Sequence, residues 1–226
     1  MKRIALISLL FCMCLANLVA GDNVALLTAN KGKVEFTRGT KILRFKTGEL
    51  LQNSDEIRTG GESFAAYKYV DGSSTVKVFA NSVVKINAAS SGKTMSKKIV
   101  LTKGSVFSSV TQKSGSYTVQ TPSTVASVKG TGFLTKITSA KQSMFIVSEG
   151  EVTLDIFNNS ELQSVSKGST AVVEADGRFT IRESTPEDLA ILEKEEQDAL
   201  RGKEDKTMRI PVIDSSGRSR YIEITY

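Results

Sequence analysis

From residue 33 to 182 apolar and polar positions alternate with a period of two. Val34 and Phe36 alternate with Lys33 and Glu35, and Val76 and Val78 with Thr75 and Lys77. Tyr117 and Val119 alternate with Ser116, Thr118 and Gln120, and Val152, Leu154 and Ile156 with Glu151, Thr153 and Asp155. Phe179 and Ile181 continue the pattern between Arg178, Thr180 and Arg182. β-Branched and aromatic residues fill these runs, and Gly, Asn, Asp and Ser separate them. The pattern predicts strands of about five to seven residues joined by tight turns. Asp71-Gly72 is the strongest hairpin signal, because both residues tolerate positive φ. Ser91-Gly92, Ser114-Gly115, Asn158-Asn159 and Asp176-Gly177 are similar punctuation.

A short unit recurs: polar residue, Gly, polar residue, apolar strand start. It reads Lys31-Gly32-Lys33-Val34, Thr47-Gly48-Glu49-Leu50, Lys103-Gly104-Ser105-Val106 and Glu149-Gly150-Glu151-Val152, with a weaker copy at Lys167-Gly168-Ser169-Thr170. The spacing is irregular, which excludes a fixed-period array. The expected fold is all-β: stacked short hairpins of solenoid-like or sandwich character, with a closed barrel or jelly roll as the alternative. The alternation stops at residue 183. Thr185 is placed as an N-cap, Pro186 at the first helical position and acid follows in the first turn, so a helix is expected over about 185–202, ending at Gly202. Leu189, Ile191, Leu192, Ala199 and Leu200 give it a thin apolar stripe. Met208–Ile213 and Tyr221–Tyr226 flank Asp214-Ser215-Ser216-Gly217 and read as a final hairpin over about 207–226, with Pro211 on an edge strand.

Composition narrows the chemistry. The 226 residues include no His, no Trp and two Cys, Cys12 and Cys14. Without His, Ser-His and Cys-His nucleophile pairs and imidazole zinc sites are excluded. Residues 1–21 have Lys2 and Arg3 before an apolar run from Ile4 to Ala20, with a cleavage zone at Val19-Ala20-Gly21. This is the pattern of a signal peptide, and it predicts a periplasmic or otherwise exported chain whose mature form, from residue 22, has no cysteine and no integral membrane span. An uncleaved anchor and a lipoprotein through Cys12 or Cys14 are the alternatives; Phe11 and Met13 are large for the residue before a lipidated Cys. Charge divides at the same boundary as pattern. Residues 22–182 carry 21 basic and 13 acidic side chains, net +8, and residues 183–226 carry 7 and 11, net −4. The acidic tail is a candidate for docking on the basic body, with a plain solvated charge face as the alternative.

Local motifs add little. Ser91-Gly92-Lys93-Thr94 ends like a phosphate loop, but Asn87 stands where its first Gly belongs and no helix is expected after it. Gly130-Thr131-Gly132-Phe133 lacks the third Gly of a dinucleotide site. Asp55-Glu56, adjacent on the chain, point apart and read as a solvated turn rather than an acid/base pair. Abundant Ser and Lys carry no Ser-x-x-Lys motif at a helix start. Lysines dispersed without interleaved aromatics argue against nucleic acid. No cofactor, metal or catalytic residue is therefore assigned, and a non-enzyme is expected.

One ordered set is specific. Thr47-Gly48-Glu49-Leu50, Asp55-Glu56-Ile57-Arg58-Thr59-Gly60, Ser63-Phe64-Ala65-Ala66, Val70-Asp71-Gly72-Ser73 and Asn81-Ser82 resemble the opening of the FecR domain. Lys103-Gly104-Ser105-Val106, Tyr117 to Pro122 with Thr121-Pro122 at its end, Val128 to Phe133, Val147 to Val152 and Lys167-Gly168 resemble the remainder, over roughly residues 24–182. The motif positions Gly48, Asp55, Ile57, Thr59, Asp71, Gly72, Ser73, Gly104, Thr121, Pro122, Gly130, Thr131, Phe133, Gly150, Val152 and Gly168 read as scaffold. The resemblance implies an extracytoplasmic β module that, in the namesake regulators, receives a signal from an outer-membrane transporter and follows a membrane helix and a cytoplasmic sigma-regulating region. Only Met1, Lys2 and Arg3 precede the apolar run here, so a stand-alone module is expected. Lys129 stands where Arg is common, and residues 183–226 do not resemble the usual C-terminal signalling module. The leading expectation is a binding or scaffold protein of the cell envelope, with an envelope protein or an anionic envelope polymer as partner. A signalling component working with a separate membrane regulator is the alternative; an envelope enzyme is disfavoured.

Overall fold

The structure, a computed structural model, describes residues 23–91, 94–113, 115–200, 207–213 and 219–225. The expected signal segment with Cys12 and Cys14, the Gly92 and Ser114 turn positions, Gly202 and the 214–217 turn lie outside these residues. In chain order the strands are β1 (Asn23–Lys31), β2 (Val34–Arg38), β3 (Lys41–Leu43), β4 (Leu50–Gln52), β5 (Glu56–Thr59), β6 (Phe64–Tyr69), β7 (Ser74–Val78), β8 (Val83–Ser91) and β9 (Thr94–Val110). They continue as β10 (Tyr117–Gln120), β11 (Thr124–Val128), β12 (Gly132–Ile137), β13 (Ser143–Glu149), β14 (Glu151–Ile156), β15 (Gln163–Ser166), β16 (Ser169–Val173) and β17 (Phe179–Glu183). Helix α1 (Pro186–Leu200) and the hairpin β18 (Thr207–Ile213) and β19 (Ser219–Thr225) follow.

The pairings resolve into two stacked layers. Sheet I runs β4-β1-β6-β7-β9-β12-β13-β16-β17 and sheet II runs β3-β2-β5-β8-β9-β10-β11-β14-β15. Every pair is antiparallel except β9 with β10. From β10 on, successive hairpins alternate between layers: β10–β11 in sheet II, β12–β13 in sheet I, β14–β15 in II, β16–β17 in I. This is the stacked-hairpin, all-β architecture expected from the alternation, in its sandwich form. One strand belongs to both layers. Residues 94–103 of β9 pair in sheet II and 104–110 in sheet I. The sequence predicts a break at Gly104, yet it lies inside a 17-residue strand. Gly104 has φ +82°, and a Cβ there would sit 2.5 Å from Ser82 Cα. The Ser105 N–H donates to Ser82 Oγ at 2.9 Å and the Ser82 hydroxyl donates to the Ser105 carbonyl at 3.1 Å, so the bend is held without ending the strand.

The inward faces of both layers form one core. Leu27, Tyr67, Val76, Val106, Phe133 and Phe145 from sheet I meet Phe36, Ile57, Ile86, Leu101, Val119 and Leu154 from sheet II, all fully buried. A second, smaller cluster lies on the outer face of sheet I, where Phe79, Leu134 and Ile146 are buried against Ile191 and Leu192 of α1. Sheet I is therefore apolar on both faces at its centre, which is why Phe133-Leu134 and Phe145-Ile146-Val147 break the alternation.

Candidate interaction surface

The motif positions are architectural. Asp55 corrects the expectation of a solvated turn: it is fully buried, and its carboxylate accepts both Arg38 Nε and Nη2 at 2.8 Å and the Gln52 N–H at 2.8 Å. A buried carboxylate needs such partners, and Arg38 supplies the fork geometry that fits it. Glu56 turns outward and pairs with Arg58 at 2.6 Å. The buried Thr59 hydroxyl donates to the Phe79 carbonyl at 2.5 Å and accepts the Ser82 N–H at 2.9 Å, while Ile57, Phe133 and Val152 fill the core. Thr121 Oγ accepts from Ser143 at 2.8 Å beside Pro122, and Thr131 Oγ donates to the Glu151 carbonyl at 2.9 Å. A Cβ on Gly150 would collide with the Gly130 carbonyl, so these two glycines let neighbouring turns touch. Gly48 and Gly168 both have positive φ and donate to β1 and β13, through the Leu27 and Val147 carbonyls.

Asp71 does more than turn the β6–β7 hairpin at Gly72. It accepts the Ser73 N–H and hydroxyl, and its other oxygen takes the Lys97 ammonium at 2.6 Å. The Lys97 side chain is fully buried, also donates to the Met95 carbonyl at 3.3 Å, and lies 5.6 Å from the Tyr69 ring. Partial burial pushes the Asp71 carboxyl up, but bonds from Lys97 and Ser73 outweigh it, leaving it below the usual carboxylate range. Tyr67, Tyr69 and Tyr117 stack edge-on around this pair, and burial holds the phenols of Tyr67 and Tyr117 well above their ordinary value. The signal for this cluster was a lysine in the inward phase of β9, between Met95 and Ile99. It joins the hairpin tip to the core. Among the described residues no group of His, Cys, Asp and Glu has metal-holding spacing, and no helix is long and apolar enough to cross a membrane.

The two outer faces differ. Over sheet I, α1 is capped as expected: the Asp188 N–H donates to Thr185 Oγ at 3.3 Å and the Thr185 N–H donates back to Asp188 at 2.9 Å. Arg182 of β17 forks onto the same carboxylate, and its bonds with the Thr185 N–H hold the Asp188 carboxyl at about 2. Farther along, Glu195 accepts from Lys136 of β12 at 2.7 Å and from the Ser105 hydroxyl of β9 at 2.8 Å. The acidic tail segment thus docks on the basic body through α1. A groove of about 710 Å³ beside it is lined by Lys103, Lys136, Lys141 and Lys194.

Sheet II has no such cover among the described residues. Its register places Asn87, Lys98, Thr118, Ser127, Thr153 and Ser164 in one unbroken row across β8, β9, β10, β11, β14 and β15. A second row runs Glu56, Lys85, Val100, Gln120, Val125, Asp155. A hollow of about 430 Å³ opens on this face between Asn87, Ser96, Lys98, Ser116 and Thr118. Such a flat face offers hydrogen-bond donors and acceptors at the strand spacing, with charges of both signs. This spacing matches that of groups on an opposing surface.

Residues 55–153 match the family model described as FecR protein. Two crystal structures of a candidate anti-sigma factor from Parabacteroides distasonis ATCC 8503, at 2.50 and 1.65 Å, share the fold. Their TM-scores are 0.50 and 0.51 at 16% identity, covering 60% and 61% of this chain and 62% and 63% of theirs. The chain thus spans about three fifths of the length of these solved structures. No curated protein matches it.

Proposed function

We propose that this chain, whose residues 55–153 form a FecR domain, is an exported, signalling-related binding module that recognises an envelope partner through the outer face of sheet II. The observation that carries the reading is the contrast between faces. One outer face is closed by α1, and the other presents a polar row from Asn87 to Ser164 that no described residue covers. The FecR match and the description of the solved neighbours favour signalling over a purely structural role. The net +8 of residues 22–182 favours an acidic partner surface and sustains the second reading, an anionic envelope polymer.

The test uses the full chain as bait in its native envelope, beside a Lys98→Glu, Thr118→Arg double variant. Co-purification of a membrane-embedded regulator that the variant loses supports signalling through sheet II. Sedimentation with isolated cell wall, lost in the variant, supports the polymer. Binding that the variant retains in full removes sheet II from the function.

A further inference from the structure

A stack of hairpins has two ends, and each end exposes the outermost strand of both layers. At one end these are β3 and β4, at the other β15 and β17. Each pairs on one side only among the described residues. The exposed apolar side chains concentrate there. Of the eight large hydrophobic residues exposed on the described body, six sit at these ends: Leu26, Ile42 and Leu50 at the first, Phe157, Leu162 and Phe179 at the second. Leu26 and Leu50 are direct cross-strand neighbours. The Phe157 carbonyl lies where a Cβ on Gly177 would meet it at 2.6 Å, so the sheet II and sheet I sides of the second end touch. Ile42 at 70% and Leu162 at 67% are the most exposed of the eight.

The ends also differ in charge. Residues 23–52, which build β1 to β4, carry six basic and two acidic side chains, net +4. Residues 151–183, which build β14 to β17, carry three basic and six acidic, net −3. Opposite charge on two open, apolar ends suits neither end for its own kind. It suits each for the other.

We propose that copies of this chain associate head to tail, the β3/β4 end of one against the β15/β17 end of the next, so that both layers continue from copy to copy. The contact is heterologous: its two sides are different surfaces, and it propagates unless the rotation closes a ring. The edge strands have three to five residues, so backbone pairing contributes little alone; Ile42, Leu50, Leu162 and Phe179 supply the apolar contact and the charge difference sets direction.

Blocking one end at a time tests this. Ile42→Asp blocks the first end and Leu162→Asp the second, and both positions are exposed enough to leave the melting temperature unchanged, which is checked first. Sedimentation velocity of the full exported chain at low salt should show mass rising with concentration, and the rise should shrink at high salt. Each variant alone should run as a monomer. An equimolar mixture should give a dimer and nothing larger, because one unblocked end remains on each partner. A wild-type chain that stays monomeric up to millimolar concentration overturns the proposal. So does association of either variant alone at wild-type strength, the mark of a like-to-like contact, and so does a mixture that fails to pair.

Discussion

Sheets I and II share a strand, a core and an alternation, yet their outer faces have opposite fates. On sheet I, Phe79, Leu134 and Ile146 point away from the main core and are still buried, because α1 lies over them. On sheet II, the equivalent outward positions are Lys98, Thr118, Ser127 and Thr153, and nothing described covers them. The difference is written in local sequence. Where a strand reads as consecutive apolar residues, as at Phe145-Ile146-Val147, a second layer must exist. Where it reads as strict alternation, as at Val152-Thr153-Leu154, one face is left for solvent or a partner. The helix is thus part of the burial that sheet I requires, and sheet II requires no such cover among the described residues.

Removing residues 184–226 breaks the comparison most severely, since it makes the outer face of sheet I as bare as that of sheet II. Three fully buried apolar side chains would meet water, at about 1.5–3 kcal/mol for each. The inner core is untouched, so unfolding should stay cooperative at a lower midpoint, with new binding of a hydrophobic dye. Thermal and urea melts of the truncated chain check this. A melt without a cooperative transition would make α1 a member of the core rather than a cover on it.

The latch of α1 gives a smaller effect with a defined pH window. Asp188, held at about 2 by Arg182 and the Thr185 N–H, is depressed below its unfolded value. Its contribution is therefore complete above the ordinary carboxylate range, near pH 4, and is lost as pH falls toward 2. Asp188→Ala removes the return bond of the cap and the Arg182 pair together, and should lower stability by about 1 kcal/mol at neutral pH. The variant and the wild-type chain should converge as the solution is acidified from pH 4 to pH 2. Guanidinium melts across that range read the convergence; a constant gap would mean Asp188 acts through packing alone.

Much of this was legible along the chain. Asp71-Gly72 and Asp176-Gly177 turn hairpins where expected, and Thr185 with Pro186 starts the helix. Those features are local: a φ preference, a missing N–H, a side chain that reaches its own backbone. What the sequence hid depends on residues far apart. Asp55 looks like a solvated acid until Arg38, 17 positions earlier, is brought over it. Gly104 looks like a turn until Ser82, 22 positions earlier, is found clamping its neighbour Ser105. The polar row on sheet II is invisible in any window, because its six members come from six strands and only their register aligns them.

That row supplies the smallest expected effect, and the most discriminating. Lys98→Ala and Thr118→Ala each remove an outward side chain from a face that packs against nothing described. Each should change stability by no more than about 0.5 kcal/mol. Thr118 is the stricter case, since its hydroxyl also reaches the Lys97 carbonyl at 3.4 Å, a long contact whose loss is small. If sheet II is the recognition face, the same substitutions weaken partner binding while the melts superimpose on wild type. A loss of stability above 1 kcal/mol at either position would mean that something in the full chain already covers sheet II, and the two faces would no longer differ in kind.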